Sequence, residues 1–358
     1  MRSLVLGASA VALVALVGCF GSSSSPGAPT PIPAGDDAAV LDGGADGTPP
    51  VDASSHASSD AAAAVDAGTP ADALADASPP GYGDAGTTSF GTGNVTSPQG
   101  IAIDPTSGAI WVASFAGGLV EFDATDAYVG AFGTSGAGQI TQGAGVAIDS
   151  RGNVYVGDYG AHDVVEFDKA GTYLATFPAA DAGVTLGRVT GVAIDTNDRL
   201  FAIDDDNSLV LEFTAGGAVS NQFSTSQASQ PALAGSVGMH FDPSGNLWIA
   251  DYYYHSFVQY SASGQLLAQY GTNSASAVPS GFAQPYGLTV DPTGNVWVTD
   301  SKNDDVQEFD THGSFKVLLG ASGTGPGQFA GPNGIAVDAN GRVLVSDGGN
   351  NRIVVFVP

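Results

Sequence analysis

From Gly100 onward the chain alternates short apolar runs with turn-forming residues, and the same arrangement is written six times. The copies read GIAIDPTSGAIWVAS from Gly100, GVAIDSRGNVYVGD from Gly145, GVAIDTNDRLFAID from Gly191, GMHFDPSGNLWIAD from Gly238, GLTVDPTGNVWVTD from Gly287 and GIAVDANGRVLVSD from Gly334. Their spacings are 45, 46, 47, 49 and 47 residues. Each copy holds a β-branched apolar run, a turn rich in Pro, Ser, Thr, Asn and Gly, a second apolar run, a polar loop and a third run such as 164–167 or 353–356. A fourth segment follows, as at 172–177, 265–270 and 314–319. The first two runs are apolar almost throughout rather than alternating, which suits strands packed on both faces. Six copies of four strands predict an all-β chain, a six-bladed β-propeller with four antiparallel strands per blade. No helical period appears after Gly86.

A closed ring must join its first and last blades. The sixth copy stops after its third run, while Thr87, Thr88, Ser89, Phe90 and Gly91, ahead of the first copy, match the fourth-strand endings at 131–133 and 269–271. The N-terminal segment is therefore expected to supply the outer strand of the sixth blade.

The remainder of the chain is of another kind. Residues 1–18 combine Arg2, an apolar run from Leu4 to Val17 and small residues at the end, the layout of a secretory signal. Leu16, Val17, Gly18 and Cys19 resemble the lipobox of bacterial lipoproteins, which implies that Cys19, the only cysteine, is a lipid attachment site. Residues 19–85 are almost entirely Ala, Asp, Ser, Gly, Pro and Thr, with no aromatic residue between Phe20 and Tyr82, and nothing there can build a core. They read as a disordered tether with a reach on the order of 45 Å. The expected organisation is a signal peptide at 1–18, a lipidated, disordered tether at 19–85 and a propeller at 86–358. The expected location is the bacterial cell envelope, on the outer membrane or cell surface.

Charge narrows the partners. The net charge of −27 divides into −10 between Phe20 and Ala85 and −18 from Gly86 onward, where eight basic residues face 26 acidic ones. Nucleic acid is excluded as a partner, because phosphates need clustered Lys and Arg. A single cysteine also excludes a disulfide framework or a cysteine-rich zinc site.

The repeated glycine, apolar run and aspartate, followed by G-N-V-Y-V-x-D and V-x-x-F, resemble the NHL repeat, over essentially all of 86–358. The family includes sensor domains, protein-binding and RNA-binding modules and peptidyl-amidating lyases, so the resemblance implies a fold more than an activity. Its usual loop reads D-x-x-N-x-R. Only the sixth copy keeps it, as Asp347, Asn350 and Arg352; Asp163, Leu209, Ser256 and Asp305 stand where the arginine would in copies two to five. The five histidines, His56, His162, His240, His255 and His312, are too scattered along the repeats for the three-histidine zinc site that the lyase resemblance requires.

Aspartates filled in every copy read as structural: Asp104, Asp149, Asp195, Asp242, Asp291 and Asp338 at the first turn, and Asp158, Asp204, Asp251, Asp300 and Asp347 ending the second strand. Residues that differ between copies are better candidates for binding. Gln99, Thr190, Tyr286 and Asn333 precede repeat glycines, and Phe115, Tyr159, Tyr252, Tyr253, Tyr254, His255 and Lys302 occupy the loops, all expected to ring the channel. The carboxylate-rich stretches Asp204 to Asn207 and Asn303 to Asp305 are possible calcium loops, though solvated loops explain them as well. The pattern points to a monomeric propeller without a required cofactor, a binding module for a protein, peptide or glycan. A metal-assisted lactonase or lyase, with Asp, Asn or Glu gathering a divalent ion in the channel, is the alternative.

Overall fold

The computed structural model describes residues 86–178, 183–226, 235, 238–271 and 279–358. The expected signal segment, Cys19, His56 and the tether lie outside the described residues. Six four-stranded antiparallel sheets follow one another along the chain, with no α-helix among the described residues. The first blade runs outward from the axis as Pro98–Ile103, Ile110–Ser114, Leu119–Phe122 and Tyr128–Phe132. One element was not foreseen: a two-residue parallel pair, Ala321–Ser322 with Gln328–Phe329, within the loop ahead of the sixth inner strand.

In the sixth sheet Thr88–Phe90 lies antiparallel to Arg352–Phe356, with Thr88 opposite Val355, Ser89 opposite Val354 and Phe90 opposite Ile353. Phe90 then meets Phe122 of the first blade edge to face, with ring centres 4.8 Å apart. The apolar runs explain why the sheets stack. Buried side chains fall into six clusters, each shared by two neighbouring blades, from Trp111 and Val165 between blades one and two round to Ile101 and Ile353 between blades one and six. Every third strand ends in a buried aromatic: Phe122, Phe167, Phe213, Tyr260, Phe309 and Phe356.

The repeat glycines serve the axis. A Cβ on Gly100 would collide with the Ala144 carbonyl, on Gly145 it would come within 3.0 Å of Gly191 Cα, on Gly287 it would strike the Asn333 carbonyl, and on Gly334 the Gln99 carbonyl. The inner strands approach backbone to backbone, which only glycine allows.

Two sets of aspartates hold the loops. At the first turns, Asp242 accepts the Ser244 and Asn246 amides and Trp248 Nε1, and Asp291 accepts the Thr293 and Asn295 amides. At the ends of the second strands, Asp158 accepts the Thr141 and Gln142 amides at 2.6 and 2.9 Å, Asp300 those of Ala283 and Gln284, and Asp347 that of Ala330. In blades two, three, five and six the second set fastens the loop preceding the inner strand to the end of the next strand.

The place of the loop arginine gives the blades different chemistry. In blade six Arg352 Nε lies 2.9 Å from Asp347. In blades two and five that place belongs to Asp163 and Asp305, paired in register with Asp158 and Asp300. Burial, and then the facing carboxylate, pushes Asp163 up to about 6 and Asp305 up to about 7.

Two outcomes follow from this architecture. Gly287→Ala should cost about 3 kcal/mol or more, or prevent folding, because backbone must move. Gly245→Ala, where φ is +82° but nothing lies within 4 Å, should cost only about 1–2 kcal/mol. Equal losses in denaturant titrations would contradict the close-approach argument. The folded pKa of Asp305 exceeds that of an unfolded aspartate, so its contribution is complete below about pH 4 and is lost as pH rises through about 7. Asp305→Asn should therefore flatten the decline in stability between pH 5 and 8 by about 2–4 kcal/mol; an unchanged slope would refute the raised pKa of Asp305.

Candidate functional site

The loop face is built where the strands start and stop. Inner strands of five blades break register beside their glycine, between Pro98 and Ile101, Gly143 and Val146, Val189 and Val192, Pro285 and Leu288, and Pro332 and Ile335. A bulge re-aims side chains, and two of the candidates use it to meet past the intervening sixth blade. Tyr286 Oη donates to Gln99 Oε1 at 2.6 Å, with Gln99 buried. Asn333 Nδ2 donates to the Pro98 carbonyl at 2.9 Å, tying blade six to blade one. The axis is thus capped on this face rather than ringed by free side chains. Beneath the cap the axis narrows to about 40 Å³ among Gly100, Gly145, Gly238, Gly287 and Gly334, and it widens at the opposite end.

Around the cap the aromatic candidates form a belt. Phe115 and Tyr159 lie 5.6 Å apart, Tyr252 and Tyr253 5.0 Å, and Tyr252 and Tyr286 6.2 Å, the last two pairs edge to face. Tyr253 is 64% exposed and Phe115 37%, so apolar ring area faces solvent. Burial, then the neighbouring Tyr252 and Tyr159, raises the Tyr286 phenol above its ordinary range, and it remains a hydrogen-bond donor. Burial and Tyr253 likewise raise Tyr252.

Arg188 belongs to this belt, and reasoning from sequence missed it. Its guanidinium lies 5.4 Å from the centre of the Tyr159 ring and donates to Tyr159 Oη at 2.9 Å. It also pairs with Asp205 at 3.1 Å and Asp206 at 2.6 Å. The hydrogen bonds it donates to Tyr159 and Asp206 hold it firmly charged. The available signal was a basic residue three positions before a repeat glycine, in a chain with few basic residues.

Other candidates occupy different places. Lys302 is exposed on the loop of blade five, its backbone amide donating to Asp300. Thr190 is buried and Tyr254 half-buried. His255 is half-buried at φ +53°, with Nδ1 shielded from solvent and lacking a hydrogen-bond partner, so its ring serves the loop interior rather than the belt. His162 and His312 are exposed, in a loop and a distal turn, and His240 lies on the inner strand of blade four facing the other end of the channel.

The carboxylate-rich loops are committed to protein donors. Asp204 accepts the Gly187 amide and Asn207 Nδ2, while Asp205 and Asp206 hold Arg188. Asp304 accepts the Gly331 amide at 2.7 Å, and Asp305 is buried beside Asp300. Among the described residues no three His, Cys, Asp or Glu side chains gather as a metal ion would require.

The fold has known counterparts. Virginiamycin B lyase from Staphylococcus aureus superposes with a TM-score of 0.55 at 15% identity, over 76% of this chain and 99% of that one. A gluconolactonase from Xanthomonas campestris gives 0.56 at 14%, over 74% and 87%. An auxiliary nutrient binding protein from Bacteroides ovatus gives 0.59 at 14%, over 73% and 69%. At these identities the likeness is one of fold. No curated protein sequence matches the chain. The NHL repeat profile matches residues 282–309 and 329–356, in the fifth and sixth blades. The chain thus carries NHL repeats in its fifth and sixth blades, within a propeller of six four-stranded blades.

Proposed function

We propose that this NHL propeller is a binding module of the bacterial cell envelope, held to a membrane through lipid on Cys19 and engaging a peptide, protein or glycan through its loop face. One observation carries the reading: Phe115, Tyr159, Tyr252, Tyr253 and Tyr286, from blades one, two, four and five, share a belt with Arg188 around a capped axis. Tyrosine offers a large contact area at low entropic cost, and its hydroxyl pairs with sugar hydroxyls or peptide groups. The aspartate staples beneath the belt hold it in place before any ligand arrives, which lowers the ordering cost of binding.

The enzyme reading draws on the likeness to virginiamycin B lyase and gluconolactonase. It asks for ligands converging on a metal, whereas the loop face described above gathers phenol rings and directs its carboxylates to amides and Arg188. The likeness to an auxiliary nutrient binding protein favours the binding reading on the same fold.

Screening the purified protein against oligosaccharide arrays and peptide libraries should give ligands whose affinity falls about ten-fold or more in Tyr252→Ala and Tyr159→Ala, at unchanged melting temperature. Metal-dependent turnover of a lactone would overturn the proposal in favour of the enzyme. For the anchor, mass spectrometry of detergent-extracted protein should find acyl mass on Cys19, lost in Cys19→Ala; an unmodified cysteine in membrane-derived protein would remove that part of the reading.

A further inference from the structure

At the end of the channel opposite the tyrosine belt lies a cavity of about 530 Å³ that the reading above leaves unused. That volume is in the range of small-molecule sites. Part of its wall is apolar, with Ile103, Ile148, Ile194, Val290 and Val337 contributed by five of the inner strands.

One sector of the wall departs from the repeat. Two positions after the repeat glycine, four blades carry alanine, as Ala102, Ala147, Ala193 and Ala336, while blades four and five carry His240 and Thr289. All six line the cavity, and His240 and Thr289 stand side by side on neighbouring inner strands. The His240 ring is open to the lumen. Loss of bulk hydration lowers its pKa, against the opposing pull of the Phe241 backbone and Asp242, so it is a neutral donor and acceptor at neutral pH. A packing role would be met by alanine, as it is in the other four blades.

Charge completes the site. Five aspartates line the cavity, Asp149, Asp195, Asp198, Asp242 and Asp291, and no lysine or arginine does. Arg151 and Arg199 pair with Asp149 and Asp195, while Asp242 and Asp291 form no ion pair among the described residues. Burial opposes their ionisation, but hydrogen bonds from Trp248 and Asn246 to Asp242, and from Thr293 and Asn295 to Asp291, hold both below the usual carboxylate range. These aspartates are turn caps by geometry; what they add to the cavity is negative potential on the side where His240 and Thr289 stand.

We propose that this cavity binds a small organic cation, an amine carried on an apolar body, with the body against the aliphatic wall and the polar head toward His240 and Thr289. The site is separate from the tyrosine belt, and the two stand or fall independently.

Calorimetric titration of the full chain with phenethylamine and with 2-phenylethanol, alike in size but differing in charge, tests it. The amine should bind about five-fold or more tightly than the alcohol, with affinity falling as salt is added. His240→Trp, which fills the lumen, should abolish binding, and His240→Ala should weaken it about three-fold or more. Should the tryptophan variant fail to fold, histidine ring signals in NMR give a second readout: the resonance missing from His240→Ala should be the one that moves on adding amine. Equal affinities for the two probes, no binding of the amine at about 10 mM, or shifts confined to residues of the tyrosine belt would each overturn the proposal.

Discussion

The structure depends on the backbone contact at the axis. Six inner strands converge there, and at five of the six repeat glycines a side-chain carbon would intrude on the next strand's backbone. Close approach lets each blade bury its apolar runs against both neighbours, so that the core is six interfaces rather than one centre. The same approach leaves little free volume at the middle of the channel. It thereby separates two surfaces, the capped loop face and the open cavity, that a wider ring would join.

With the ring secured by the glycines and the loops secured by aspartates, neither device places demands on most loop side chains. Variation collects there. Blades two and five carry an aspartate where blade six carries Arg352, so that two carboxyls face each other in place of an ion pair of the kind made by Asp347 and Arg352. Blades one to four contributed Phe115, Tyr159, Arg188 and Tyr252 to a single face. Blades four and five contributed His240 and Thr289 to the other. Sixfold architecture and one-sided chemistry coexist because different positions of the repeat determine them.

Blade number, strand order and the structural aspartates were legible in the sequence, because each is written once per repeat and repetition exposes it. The belt tyrosines were legible as departures from the repeat. Arg188 was not, since its role arises from Tyr159 and Asp206, residues that the chain brings to it from different loops. The hydrogen bond that joins Gln99 to Tyr286 was not legible either, because a contact between blades that are not neighbours leaves no trace in a repeat alignment. The shielding of His255 Nδ1 within its loop was not legible, since it depends on side chains packed around the ring. The cavity beside His240 escaped notice because the first-strand residues that line it read as interior packing.

The seam in blade six bears on how the molecule is made. Thr88–Phe90 emerges from the ribosome before any complete blade, while its partner Arg352–Phe356 emerges after all the others. Throughout translation, then, an early strand with open amides and carbonyls must wait, and five finished sheets form an arc with two exposed flanks. Such an arc can recruit the waiting strand of a second nascent chain as readily as its own. Expression at high density should consequently favour strand-exchanged pairs, and slow dilution the closed monomer.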